Sequence, residues 1–169
     1  MKIIFLDIDG VLNTSETNKK IPKEQRKYGV IGIEEEKIRI LKIIIDETNA
    51  KIVLNSIWNL DFRKEESKII PETTKAIDLM INLKKYDLEI YDITKVDPNR
   101  SKKNQIETYL KENPQIEFFI IIDDEIADLK AYADQNQLVK TNWFPLKENG
   151  DCGLCESHIN EAVLKLYKK

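Results

Sequence analysis

The chain has 169 residues, 27 Lys and Arg against 30 Asp and Glu for a formal net charge of −3, 41% hydrophobic and 34% charged residues, and only 5 Gly and 5 Pro. That apolar share excludes a disordered chain, and the low Gly and Pro content excludes collagen-like or low-complexity sequence; the length allows one compact core with little room for a second domain. A sequence pI near 5.4 argues against a surface built throughout for nucleic acid and leaves only local basic patches to consider.

In chain order, residues 2–6 form a short apolar run rich in Ile and Phe, which predicts a buried strand. The run is interrupted by Asp7, so it is too short for the core of a secretory signal. Residues 13–32 look irregular, and residues 34–48 then read as a helix, with Ile38, Leu41, Ile44 and Ile45 on one face and Glu34, Glu35 and Glu36 in the first turn, where negative charge suits the helix dipole. A second strand is predicted at residues 52–54, followed by an irregular stretch at 57–70. Pro71 is expected to open a helix that carries Ile77, Met80, Ile81 and Leu83, because proline is tolerated in a first helical turn. Strands at 88–93, 118–122 and 138–139 alternate with three further helices. These are capped by Ser101, by Asp123 or Asp124 ahead of residues 125–133, and by Cys155 or Glu156 ahead of a last helix through Tyr167.

Five such alternations imply a three-layer α/β/α, Rossmann-like domain over residues 1–169, with a mainly parallel five-stranded sheet and no large cap domain. No apolar run approaches the roughly 18 residues of a membrane-spanning helix, and a disulfide between Cys152 and Cys155 would close only a tiny loop. A soluble protein in a reducing cytoplasm, with no membrane and no obligate protein partner, is the expectation. In such sheets chemistry sits beyond the carboxyl ends of the strands, and those positions here are polar and acidic.

The first strand ends in Asp7-Ile8-Asp9-Gly10-Val11-Leu12-Asn13. Asp-x-Asp-Gly arises by chance in about 3% of chains this long, before its position after a buried strand is required, so the motif is informative. Period-two geometry aims Asp7 and Asp9 to the same side while the chain stays extended, and Gly10 lets it turn at once. Two converging carboxylates would repel a phosphate unless a divalent cation offset them. Ser56, after the second strand, is a neutral hydroxyl donor suited to a phosphoryl oxygen, and the run Arg100-Ser101-Lys102-Lys103 can supply a cation opposite the carboxylates. Asp123, Asp124, Glu125 and Asp128 put four acids after the fourth strand, a donor set for a hard, oxygen-bound metal.

This succession of Asp-x-Asp, Ser, Lys and an acidic pair on successive strand ends resembles the haloacid dehalogenase-like phosphohydrolase superfamily. More narrowly, Asp-Gly-Val-Leu-Asn, Ser56-Ile57-Trp58, the 106–110 helix, Ile121-Ile122-Asp123-Asp124 and Gly153-Leu154 are similar to stand-alone relatives of the phosphatase domain of multi-domain RNA repair proteins. The resemblance implies an Mg²⁺-dependent phosphatase that hydrolyses phosphomonoesters through an aspartyl-phosphate. By that resemblance Asp7 would be the nucleophile and Asp9 the acid/base, and Ser56 and Lys102 would hold the phosphoryl group, with Lys103 the rival lysine. It further implies that Mg²⁺ is held by Asp7, the backbone carbonyl of Asp9, and Asp123, with Asp124 in support, and Gly10, Asn13 and Lys103 are assigned to substrate binding. Where relatives usually carry Arg after the Trp this chain has Asn59, with Arg63 or Lys64 as substitutes in principle.

The expected substrate is a nucleotide or nucleic-acid end phosphate, with a protein or small-metabolite phosphatase, or a non-catalytic binding module of the same fold, as alternatives. Residues 13–32 form a flap after the nucleophile strand whose Lys19, Lys20, Lys23, Arg26 and Lys27, against Glu24, could contact a polyanion. A receiver domain is disfavoured, because Ile93-Thr94 stands where its phospho-acceptor would be. Cys152, Cys155 and His158 have zinc-like spacing but lack an evident fourth ligand, and Trp58 and the Trp143-Phe144 pair are expected in the core.

Overall fold

A computed structural model describes residues 1–26 and 32–167. The elements run β1 (Lys2–Leu6), α1 (Ser15–Lys20), α2 (Lys23–Arg26), α3 (Glu35–Thr48), β2 (Lys51–Leu54), a 3-10 helix (Ile57–Asp61), β3 (Phe62–Glu65), β4 (Lys68–Pro71), α4 (Thr74–Lys84), β5 (Ile90–Ile93), α5 (Lys102–Glu112), β6 (Phe118–Asp123), α6 (Lys130–Asp134), β7 (Leu138–Lys140) and α7 (Ser157–Tyr167). Five strands form one parallel sheet in the order β5-β2-β1-β6-β7. Lys27 of the basic stretch and the side chain of Arg26 lie outside the described residues.

Alternation along β1 divides its side chains between two apolar layers. Ile4 and Leu6 pack with Ile38, Leu41 and Ile44 of α3, Leu79 and Leu83 of α4 and Leu166 of α7. Ile3 and Phe5 face the opposite layer, with Ile106 and Tyr109 of α5, Leu129 just before α6 and Tyr132 within it. There Phe5 meets the rings of Tyr109 and Phe119 edge-on, each at 5.6 Å between centroids. At roughly 1.5–3 kcal/mol for each large apolar side chain fully buried, these two layers are what hold the sheet between its helices.

The order of connection positions the site. From β1 the chain steps through β2 to β5 on one side, then crosses to β6 and β7 on the other. The winding therefore reverses between β1 and β6, and a crevice opens at such a reversal at the carboxyl ends of the strands. Asp7 follows β1 there and Asp123 closes β6.

Three expectations are corrected. Pro71 does not open a helix: it ends β4, paired across an antiparallel hairpin with Phe62 of β3, and α4 begins at Thr74, where the Thr73 hydroxyl accepts from the Ala76 N–H at 3.2 Å. A hydroxyl cap two residues on is the stronger start signal, and an edge strand tolerates proline. Residues 57–70 are thus ordered as a 3-10 helix and hairpin, and residues 13–26 contain α1 and α2. The helix expected at 125–133 is only Lys130–Asp134, because the Asp123 carboxylate accepts from the Glu125 N–H at 2.9 Å and holds a turn rather than a helix start. Among the described residues no helix is long and apolar enough to cross a membrane.

Candidate active site

Asp7 continues the β1 ladder through its N–H to the Ile122 carbonyl at 3.0 Å, and its side chain is buried. The loop after it folds back at once, with the N–H groups of Val11 and Leu12 donating to the Ile8 carbonyl at 3.1 and 2.9 Å. Gly10 has φ +78°, and a Cβ there would lie 2.2 Å from Cγ of Asp124. Only glycine lets the loop after β1 and the acidic loop after β6 approach this closely. Thr141, after β7, fastens the same loop by donating from its hydroxyl to the Gly10 carbonyl at 2.7 Å.

Carboxylate oxygens of Asp7, Asp123 and Asp124 lie within 4.8 Å of one another. Lys102, at the first turn of α5, reaches across with Nζ 2.6 Å from Asp7 Oδ2 and 2.7 Å from Asp123 Oδ2. Its helix start is set by Ser101, whose hydroxyl accepts from the Asn104 N–H at 3.1 Å, and by Asp128, whose carboxylate accepts from the Ser101 hydroxyl at 3.2 Å and the Lys103 N–H at 2.9 Å. The Lys103 ammonium lies 3.7 Å from Glu107 on the helix surface, directed away from the pair that Lys102 bridges.

When all three are ionised, the carboxylates against one ammonium leave two negative charges uncompensated. Burial pushes the Asp123 carboxyl up from its ordinary range and Asp7 adds to the shift, while Lys102 only partly offsets them. Asp124 is raised for the same first two reasons. Burial alone would lower Lys102, but Asp7 and Asp123 outweigh it and hold the ammonium charged. Hard oxygen donors and two surplus negative charges fit a divalent cation such as Mg²⁺.

Asp9 stands apart from this group, and its carboxylate accepts from Asn13 Nδ2 at 2.9 Å and from the Trp58 indole N–H at 3.0 Å. Trp58 is fully buried, as a core residue should be, and also fixes an acid on the neighbouring strand-end loop. That donor escapes sequence reasoning, since nothing local links positions 9 and 58. Ser56 is buried, and its hydroxyl accepts from the Trp58 N–H at 3.3 Å, capping the 3-10 helix.

Asn59, where an Arg was the usual expectation, is a buried structural amide. Its Nδ2 donates to the carbonyls of Leu54 and Thr94 at 3.1 and 2.9 Å, tying the end of β2 to that of β5. The candidate substitutes are engaged on the hairpin: Arg63 with Glu65 and with Glu72 at 2.8 Å, Lys64 with Asp92 at 2.6 Å. In the Cys152, Cys155 and His158 group, His158 Nδ1 accepts from the Cys155 N–H at 3.0 Å and Nε2 lies 3.1 Å from the Lys140 carbonyl, which requires the Nε2–H tautomer. Both ring nitrogens are thereby used. Phe144, by contrast with the core expectation, is 69% exposed. A concave surface of 770 Å³ lined by Phe118, Phe119, Gln137 and Lys165 lies at the opposite end of the sheet from the carboxylates.

A family model described as the HAD domain in Swiss Army Knife RNA repair proteins matches residues 3–146. No curated protein and no solved structure matches the chain.

Proposed function

The chain belongs to the family of HAD (haloacid dehalogenase-like) domains in Swiss Army Knife RNA repair proteins, and from that premise we propose that it is an Mg²⁺-dependent phosphatase of phosphomonoesters that works as a single domain. The observation that carries this reading is the grouping of Asp7, Asp123 and Asp124 around Lys102, with Asp9 held separately by Trp58 and Asn13. One carboxylate can then act as nucleophile while a second, differently held, handles protons.

Asp7, Asp123 and Asp124, with the Asp9 carbonyl, would hold Mg²⁺, which when bound offsets carboxylate charge and polarises the phosphoryl oxygens. Asp7 attacks phosphorus, the P–O bond to the leaving group breaks, and Asp9 gives that oxygen a proton. Asp9 then takes a proton from the water that hydrolyses the aspartyl-phosphate, returning Asp7 as carboxylate and releasing inorganic phosphate. Lys102 and Ser56 hold the phosphoryl oxygens as charge develops. A second acid at position 9 favours phosphoryl transfer over dehalogenation, which needs only the nucleophile.

The substrate we infer is a nucleotide or nucleic-acid end phosphate in a reducing, cytoplasmic setting. The family's place in RNA repair proteins and the exposed Lys20 and Lys23 support it. The test is hydrolysis of an aryl phosphate and of 3′- and 5′-phosphorylated oligonucleotides with and without Mg²⁺, native against Asp7→Asn. Mg²⁺-dependent turnover lost in the variant supports the reading, and its absence on every substrate overturns it. Replacing Lys19, Lys20 and Lys23 by Ala should impair only the oligonucleotides, and equal loss on the aryl phosphate would refute a role in nucleic-acid binding.

A further inference from the structure

Asn55 immediately follows β2, and its N–H donates to the Leu6 carbonyl at 2.9 Å, extending the ladder past the end of the strand. The register Leu6↔Leu54 and Leu6↔Ile122 therefore sets Asn55, Asp7 and Asp123 side by side across three strands. Two residues earlier on each strand, Val53, Phe5 and Ile121 share one apolar layer beneath α5. Alternation thus aims Asn55 to the side occupied by the two carboxylates and Lys102.

Asn55 is 1% exposed, and among the described residues its Nδ2 has no hydrogen-bond partner. Its other arm is engaged: Oδ1 accepts from the Thr94 hydroxyl at 2.9 Å, and Thr94 follows β5, on the far side of β2 from β1. The two arms of a carboxamide diverge, so the free NH₂ is turned away from β5 and toward the Asp7 strand. A buried donor without a partner is unfavourable and calls for one. Asp7 does not supply it: its Oδ1 accepts from the Ile8 N–H at 2.8 Å and its Oδ2 from Lys102, and no bond joins it to Asn55 Nδ2.

We propose that the side-chain amide of Asn55 is a phosphate-binding group of this site, donating to an oxygen of a phosphoryl group held at Asp7. The assignment rests on the phosphoryl-transfer reading above and adds a residue to it. Ser56, one position on, leaves the ladder and caps the 3-10 helix, so the donor in line with the nucleophile is Asn55. A neutral donor suits the position, because Lys102 already provides the cation and the phosphoryl oxygens need several partners at once.

Calorimetric titration of the full chain with inorganic phosphate, in the presence of Mg²⁺, tests this without requiring turnover. Asn55→Ala should weaken phosphate binding by about tenfold or more, and Asn55→Ser, which restores a short donor, should recover part of it. Phosphate binding by Asn55→Ala within about twofold of native, or no phosphate binding by the native chain, would overturn the proposal. Should the Ala variant not fold, the native protein still decides: the Asn55 side-chain NH₂ resonances should move on phosphate saturation, and unmoved resonances would overturn it. Failure here is separable from failure of the phosphatase reading, which stands as long as the native chain shows Mg²⁺-dependent hydrolysis that Asp7→Asn loses.

Discussion

Lys102→Met removes the single ammonium among three clustered carboxylates while keeping a good helix former with a similar stem. Lys102 bridges Asp7 and Asp123 at 2.6 and 2.7 Å, and the Asp123 side chain is 0% exposed. Removing one partner of a buried ion pair costs about 3–5 kcal/mol. The Lys102 side chain retains 17% exposure and the carboxylates can take up a proton, so the lower end, about 3 kcal/mol, is expected. For a chain of this size that is a fall in Tm of about 6–12 °C. The pH dependence has a definite sign. Asp123 and Asp124 are raised above the ordinary aspartate range, so the folded state holds protons that the unfolded chain has released, and stability falls as pH rises through that window. Without Lys102 the fall steepens, and the gap between variant and native should widen from about pH 4 upward. Thermal melts in chelator across this range measure it, and excess Mg²⁺ should restore much of the loss, since a ligand at 100 times its Kd adds about 2.7 kcal/mol. A variant that melts with the native chain at every pH would refute the account of the cluster's charge.

Gly10→Ala should lower Tm through about 1–2 kcal/mol of left-handed backbone strain. It should also displace Asp124, whose Cγ would be 2.2 Å from the new Cβ, so melts should lose their response to Mg²⁺. Trp58→Phe keeps a buried ring but removes the donor to Asp9; turnover should drop about 10- to 100-fold, with Tm changing far less than turnover. Asn59→Arg should destabilise by about 3 kcal/mol, seen in chemical denaturation, and raise no activity. The reason is that it breaks the contacts to Leu54 and Thr94 and buries a guanidinium in their place.

The sheet was legible because β1, β2 and β6 carry short runs of Ile, Val, Leu and Phe, and β1 has the boundaries its apolar run suggests. The strand-end rule likewise led to Asp7, Asp123 and Lys102, which the fold brings together from positions far apart in the chain. The hairpin was not legible. Its turn uses Glu66 at φ 53° rather than the Gly or Asn that announces such turns, and Arg63, Lys64 and Glu65 give β3 no apolar alternation. Pro71 misled because a proline that starts a helix and one that ends an edge strand look alike until the Thr73 cap is considered. The partners of Asp9 and the unpaired amide of Asn55 depend on cross-strand register, which no local pattern encodes.

In the proposed reaction Asp7 itself carries the phosphoryl group during turnover. Mixing the protein with a phosphomonoester and Mg²⁺, then trapping with borohydride, reduces an aspartyl-phosphate to homoserine, which peptide mass spectrometry locates. Homoserine is expected at position 7, dependent on substrate and Mg²⁺ and absent from Asp7→Asn. Sustained hydrolysis with Asp7 unmodified, or with the label on another carboxylate, would contradict it.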